Sequence, residues 1–507
     1  MSKNSDAPGP VHDCAAKQNE PEYRGAGPHP AENVTRRSVL RGAALGIAAL
    51  ASGVDSAFAK PAPAPPNIVF IMADDLGYAD LGCYGRPDLR TPNIDTLAAR
   101  GVRFLQAYAN SAVCSATRTA LITGRYQDRL SIGLDEPLAG RDIGLPPDVP
   151  TLLSLLKKAG YGTTLVGKWH LGLLPKYGPL RSGYDHFYGI RRGAADYYTH
   201  SNDLWDDDVR VDQAGYLTDM LGAHAVNVIN GYARSDRPFL LSLHFTAPHW
   251  PWEPPGDDSE SKRLIGKPLA DFDGGSQKTY ESMIEDMDRQ VGRVLDAIHT
   301  NGLSENTIVI FTSDNGGERF ADTWPFTGRK TELLEGGLRI PAIVRWPARI
   351  PRGQTTNQVG ISMDWLPTLL AAAGVSPDPA FSPDGIDLLP QLTQNAVPVE
   401  RKLFWRYKAN AQRAAREGDY KFLKILDNTF LFNVVEDPME RANLKERHQD
   451  IYERLQADWF AWNATMLPEI DESYTFSFTG AELADHIGAA EATGKADNPT
   501  PRAKPNQ

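Results

Sequence analysis

Residues 67–77 read NIVFIMADDLG: an unbroken apolar run that stops abruptly at two carboxylates and, one residue on, a glycine. A continuous rather than alternating run is the pattern of a strand buried on both faces, as in a parallel sheet covered by helices. The same grammar recurs outward along the chain. TPNIDTLAARG places Ile94, Leu97 and Ala98 at helical spacing, with Gly101 expected as the C-terminal cap. VPTLLSLLKKAGY reads as a helix, TTLVGKWHLG as a strand and loop, and PFLLSLHF as an apolar strand. SMIEDMDRQVGRVLDAIHTNG is a long amphipathic helix, and NTIVIFTSDNGG a further buried strand. Strands alternating with helices predict an α/β fold: a large, mostly parallel sheet covered by helices on both faces.

From about residue 395 the texture changes. LFWRYK, YKFLKIL and TFLFNVV are short strand-like runs in close succession, and ERHQDIYERLQADWFAWNATM is a helix. The expectation is a main domain over 67–394 and a smaller C-terminal antiparallel sheet plus helix over 395–480. The tail 481–507, rich in Ala, Pro, Lys and Asn, is expected to be disordered. Residues 1–66 read as targeting sequence and linker. TRRSVL at 35–40 is a twin-arginine signature, the apolar run at 42–54 is too short and Ala/Gly-rich to span a bilayer, and AFA at 57–59 is a small-x-small cleavage pattern. Twin-arginine export predicts a periplasmic or secreted protein, by a route that resembles one for chains that fold or acquire a cofactor first.

The chain has 507 residues, 41% of them hydrophobic and 23% charged, which are ordinary globular proportions. A net charge of −11 excludes nucleic acid as a general partner, so any anion site must be a local positive pocket. Of three cysteines, Cys14 goes with the targeting segment. Cys83 and Cys114 do not make a disulfide framework at this size. Cys83, in LGCYG, reads as a small buried side chain or a free thiol.

The chemistry gathers where apolar runs end. Asp74 and Asp75 follow one predicted strand, and Asp314 and Asn315 another. Strand carboxyl ends form the ligand crevice of open α/β sheets, so these four side chains are expected to converge. Three carboxylates and an amide oxygen are hard donors, suited to Ca²⁺ or Mg²⁺ rather than Zn²⁺. In SAVCSATRTALITGRY, Cys114 falls near a helix N-terminus, with Arg118 one turn further on the same face. The cysteine reads either as a low-pKa thiolate nucleophile or as a buried structural residue. Lys168 and His170 stand two apart at a predicted strand end, where alternate side chains face the same way. His249 follows an apolar strand, and Lys330 precedes a Gly-Gly pair. Beside an Asp-rich site these groups make an anion pocket with proton-transfer residues. Tyr197, Tyr198, Trp250 and Trp252 read as a sugar-stacking platform or as packing groups.

The pattern resembles the type I sulfatases of the alkaline phosphatase superfamily. The resemblance runs in order through PNIVFIMADDLGYADLGCYG, TPNIDTLAARGVRF, CSATRTALITGRY, GKWHLG, TAPHWP, TSDNGG, EGGLRIPAIVRWP and LFNVVEDPMERANL. It implies that Cys114, in a C-x-P/A-x-R motif with Ala116 where proline is commoner, is oxidised by a maturase to formylglycine, with Arg118 holding it. It further implies a divalent ion, Ca²⁺ or Mg²⁺, on Asp74, Asp75, Asp314, Asn315 and the modified residue 114. Lys168, His249 and Lys330 would surround the sulfate, and His249 or Lys330 would protonate the leaving alcohol. His170 would help restore the aldehyde. The implied substrate is a sulfate ester, of a sulfated carbohydrate or an aryl alcohol. Two readings stand beside it: a formylglycine-dependent phosphodiesterase or phosphonate monoester hydrolase, and an inactive anion- or glycan-binding relic if Cys114 stays unmodified.

Overall fold

A computed structural model describes residues 64–138, 140–267, 274–394 and 396–475. The export signature at 35–59 and the tail at 481–507 lie outside these residues.

The quoted run forms the strand Asn67–Ala73, and Ile68 to Ala73 are all buried. It lies inside a ten-stranded sheet, flanked in parallel by Phe239–His244 on one side and Thr307–Ser313 on the other. Gly162–Gly167 and His186–Ile190 continue the parallel centre. Antiparallel strands appear towards the margins, at Ala342–Arg345 and Leu204–Asp206. Alternate residues of the central strand enter two different cores. Val69, Ile71 and Ala73 pack with Leu217, Leu221, Met283 and Met287 of the helices Leu217–Tyr232 and Gln277–Thr300. Ile68, Phe70 and Met72 join Leu152 and Leu156 of Leu152–Lys158, and Leu366 and Leu369 of Trp365–Ala373. Period-two alternation in a run with no polar residue is thus the signature of a sheet with helices on both faces.

Register positions the chemistry. Ala73 pairs with Ser313, so Asp74 and Asp314 are the next residues on neighbouring parallel strands. His244 pairs with Met72 on one side and Gly167 on the other, which levels the ends of four strands.

The C-terminal sheet has four antiparallel strands, Lys402–Tyr407, Gln412–Glu417, Tyr420–Ile425 and Asn428–Asn433, backed by the helix Gln449–Asn463. Three of these strands are readable from sequence. The second, QRAARE, consists of residues that favour helices, and its burial comes from strands on both sides. Gly101 is not the left-handed cap expected of it. The helix Pro92–Ala99 ends at Arg100 with φ −105, and a Cβ on Gly101 would stand 2.3 Å from the Val344 carbonyl oxygen. Close approach to a neighbouring strand, not helix termination, requires glycine there.

Candidate active site

Asp74 and Asp75 leave the sheet buried, Asp75 in the left-handed region at φ 63. That backbone is unfavourable for a non-glycine residue, and the opposite loop holds it. The Asp75 amide donates to Asp314 Oδ1 at 3.3 Å, Leu76 to Ser313 Oγ at 3.1 Å, and Asn315 Nδ2 to Asp75 Oδ1 at 2.7 Å. With its amide nitrogen so engaged, Asn315 presents an Oδ1 that is buried and has no hydrogen-bond partner. Ligand atoms of Asp74, Asp75, Cys114 and His249 all lie within 4.8 Å of one another. Three buried carboxylates with an orphaned amide oxygen beside them form an oxygen-rich set that suits a hard divalent cation.

Cys114 is the first residue of the helix Cys114–Thr123, whose entry is extended at Val113 and whose exit is the left-handed Gly124 at φ 68. Its Sγ stands 3.4 Å from Asp74 Oδ1 and 3.9 Å from Asp75 Oδ1, placed to donate its one hydrogen to either. Burial, with Asp314 and Asp74 close by, pushes the thiol well above its ordinary range. The helix dipole expected to stabilise a thiolate is outweighed by these carboxylates, so the low-pKa nucleophile does not follow from its surroundings. Arg118, also buried, donates Nε and one terminal nitrogen to Asp314 Oδ2 at 3.0 and 2.9 Å, and the other terminal nitrogen to the Lys168 carbonyl at 3.1 Å. Burial alone would raise Asp314, but Arg118 and Lys168 outweigh it and hold the carboxyl well below the usual range. Asp74 goes the other way: burial and neighbouring Asp314 push it up to about 7 against the pull of Lys168 and Arg118.

Lys168 Nζ meets Asp74 Oδ2 at 2.5 Å, and Lys330 Nζ meets Asp75 Oδ2 at 2.6 Å. His170 joins them for a different reason from the strand alternation expected. The strand ends at Gly167, and His170 takes a left-handed backbone at φ 56 in the loop beyond. Both its ring nitrogens are buried without a hydrogen-bond partner, and burial together with Lys168 lowers its pKa well below 6.5. His249 lies with Nε2 3.5 Å from Asp75 Oδ2 and Nδ1 2.6 Å from the Trp250 carbonyl. A carbonyl only accepts, so Nδ1 carries the proton and a neutral ring turns a bare Nε2 to the carboxylates. Burial and the two lysines favour that neutral form.

All ten residues singled out in the sequence are therefore brought to one place. Cys114, His170, His249 and Lys330 face a cavity of about 720 Å³, with Trp250 and Arg192 also on its wall. The aromatic platform does not form. Tyr197 is buried and donates to the His249 carbonyl at 3.0 Å, Trp252 packs edge-on against Phe320, and Tyr198 donates to the Pro254 carbonyl at 3.0 Å. Of the four, only Trp250 lines the cavity. Cys83 is a partly buried free thiol outside the cavity lining. His244, whose Nδ1 lies 3.5 Å from Arg118, is a further member of the cluster, and its one signal in the sequence is that it too ends an apolar strand. Arg192, on the cavity wall, has no such signal in its surroundings GIRRGAADYYTH.

A level row of strand ends carrying this cluster is the architecture of the alkaline phosphatase superfamily, and comparison with known proteins narrows the class. Residues 66–375 match the Sulfatase family, and residues 328–461 match the family described as N-sulphoglucosamine sulphohydrolase, C-terminal. N-acetylgalactosamine-6-sulfatase of Rattus norvegicus is 34% identical over 393 residues, covering 72% of each chain. Arylsulfatase A of Homo sapiens is 34% identical over 391 residues, 70% of this chain and 74% of the other. The crystal structure of Ps i-CgsB superposes with a TM-score of 0.72 at 30% identity, covering 78% of this chain and 92% of that one. The chain belongs to the type I sulfatase family and is a sulfuric ester hydrolase.

Proposed function

We propose that the protein is a formylglycine-dependent sulfatase that cleaves the sulfate ester of a sulfated carbohydrate or aryl alcohol, with a divalent ion held by Asp74, Asp75, Asp314 and Asn315. The observation that carries this reading is the placement of Cys114. It begins a helix, touches two carboxylates, and opens onto a cavity lined by Lys330, His170 and His249, with Lys168 buried behind against Asp74. Such a position serves a thiolate poorly and a modified residue well.

A cation on the orphaned Asn315 oxygen and the three carboxylates, Ca²⁺ or Mg²⁺ by its donors, supplies Lewis-acid polarisation. As formylglycine, residue 114 supplies an aldehyde hydrate, with one hydroxyl for bonding to sulfur and a second through which the aldehyde is restored. Arg118 fixes that residue's helix against Asp314, and Asp314 is the acceptor for the proton of the attacking hydroxyl. Lys168 and Lys330 set ammonium charges against the sulfate oxygens, in a site where little water competes. Lys330 delivers a proton to the leaving oxygen, His249 doing so only once its bare Nε2 has been protonated, and His170, with neither ring nitrogen hydrogen-bonded, takes one from the second hydroxyl.

Arg36 and Arg37 support export by the twin-arginine route to the periplasm or beyond, after a cytoplasmic maturase has acted on Cys114. Replacing both by lysine is expected to retain the precursor inside a host with that system. Unchanged delivery outside would contradict the route. The function itself is tested by a desulfation screen of purified, modified protein against defined sulfated sugars and an aryl sulfate, with a phosphate diester and a phosphonate ester as controls. Sulfate release that a chelator abolishes supports the reading. Preference for the phosphorus esters would overturn it.

A further inference from the structure

Two adjacent arginines, Arg191 and Arg192, have opposite fates. Arg191 is buried, donates to the Asp207 carbonyl at 2.8 Å and Asp208 Oδ1 at 2.7 Å, and lies 4.0 Å over the Trp205 ring. It belongs to the scaffold. Arg192 is exposed on the cavity wall, and its guanidinium has no hydrogen bond or ion pair among the described residues. Its backbone is nonetheless fixed, because the amides of both arginines donate to Asp203 Oδ2, at 3.1 and 2.8 Å. The next residue, Gly193, packs so tightly on the catalytic pocket that a Cβ there would stand 2.6 Å from His170 Nε2. Arg192 is thus a planar cation without a hydrogen bond or ion pair among the described residues, near enough to Asp203 to favour that carboxylate's charged form, on a rigid support one residue from contact with His170.

The rest of the wall agrees. Lys267, also on the lining, is exposed and likewise has no side-chain partner among the described residues. Asp196 also lines the cavity, but its carboxylate is consumed by its own loop. It accepts from the amides of Thr199 and Ser201, each at 2.6 Å, and from the Ser261 hydroxyl at 2.7 Å. These bonds hold its pKa below the ordinary value against the effect of burial. They also brace the successive left-handed residues His200, Ser201 and Asn202 at φ 54, 48 and 54. Glu136, the other carboxylate on the wall, is buried and engaged as well, so the charges there without a side-chain partner among the described residues are those of Arg192 and Lys267, on a protein whose net charge is −11. A cavity of about 720 Å³ lies in the upper half of the usual range for ligand sites, roughly 300 to 1,000 Å³, and exceeds what one sulfate needs.

Resting on the sulfatase reading, we infer that Arg192, with Lys267, is a specificity site for a second anionic group on the substrate, a further sulfate or a uronate carboxylate beside the scissile ester. Arg192 offers the planar fork that binds either oxyanion through paired hydrogen bonds, and Lys267 adds a point charge. Because the loop is already braced, little ordering is needed when the second group binds.

The test uses matched substrates with the same scissile sulfate. One pair differs by a second sulfate, and another by a uronate carboxylate against its reduced alcohol. The mature enzyme is expected to favour the doubly anionic member by about tenfold or more in kcat/KM, the scale of one charge-assisted contact. That preference should weaken with salt. Arg192→Ala should shrink the ratio at least fivefold, the change falling in KM of the doubly charged substrate, and Arg192→Lys should restore part of it. Whichever pair shows the preference identifies the anion. A ratio near one for both pairs in the wild type, or a ratio that survives in a folded Arg192→Ala protein, overturns the inference while leaving the sulfatase reading intact. Protein carrying formylglycine that turns over no sulfate ester, aryl sulfate included, overturns the underlying reading, and this inference with it.

Discussion

Two of the charge clusters buried among the described residues contrast with each other, and only one of the two belongs to the catalytic cavity. The other lies where the C-terminal sheet docks. There Glu335 accepts from Tyr108 at 2.7 Å, Arg339 at 2.6 Å and Lys421 at 2.9 Å, while Glu440 accepts from the Glu335 amide at 2.6 Å and pairs with Lys421 at 3.0 Å. Arg416 closes the set through Gln106 and Tyr108. Arg339 pairs with Glu335, and Lys421 with both Glu335 and Glu440, and no member of the cluster lines the catalytic cavity. Around Cys114 the charges are paired too, but the pairing leaves atoms over: Asn315 Oδ1 and both nitrogens of His170 have no hydrogen-bond partner. Buried charge by itself therefore says little about function. Unsatisfied polar atoms beside a cavity mark where something else must bind.

The comparison predicts different penalties in the two places. At the catalytic end the largest is Asp314→Ala, which should lose both bound divalent ion and turnover, by about a thousandfold or more if several kcal/mol of transition-state stabilisation disappear. Full ion occupancy with a normal rate would remove Asp314 from the metal site. At the junction, Lys421→Ala leaves the buried Glu440 without its cation and Glu335 with Arg339 alone, and should cost about 3 kcal/mol of stability in denaturant unfolding. The folded fraction should keep its kcat, and a cost near zero would show that the junction is held by its apolar contacts alone. Lys168→Ala and Lys330→Ala should each cost about 3 kcal/mol in transition-state stabilisation, the scale of one lost oxyanion donor. A loss below about tenfold in kcat/KM would make that lysine peripheral.

The smallest effect is a pH slope. Burial pushes Glu253 up from 4.5 to about 7, against the Tyr197 amide that donates to it and the Ser261 hydroxyl beside it. The folded protein therefore holds a proton that the unfolded chain has released. The stability linked to this group is fully present below about pH 4.5 and is lost as pH rises towards 7, by at most about 3 kcal/mol. Glu253→Gln keeps the shape and removes the titration, since the Ser261 hydroxyl can turn to accept. Its melting temperature should change less between those pH values than the wild type's. An unchanged slope would assign the dependence to other groups.

The strand at 67–73 was legible because one apolar run encodes both its burial and the end at which the carboxylates sit. Register then did the rest: with Ala73 opposite Ser313, two distant Asp-containing pairs could only meet. What stayed hidden depended on neighbours far away in sequence. QRAARE is a strand because other strands enclose it, Gly101 is glycine because of Val344, and Tyr197 is a support because the His249 carbonyl stands above its hydroxyl. Arg191 and Arg192 are the same residue type, side by side in sequence. Only the position of Trp205 and Asp208 tells the scaffold residue from the free one.

The central claim is that residue 114 is not a cysteine in the working enzyme, and trypsin isolates it, because Arg103 and Arg118 bound a segment with no other basic residue. In active protein the peptide 104–118 is expected at the mass of the formylglycine form and should react with a hydrazide probe. Fully active protein whose peptide carries only an alkylatable thiol would contradict the account and return Cys114 to the role of a thiolate.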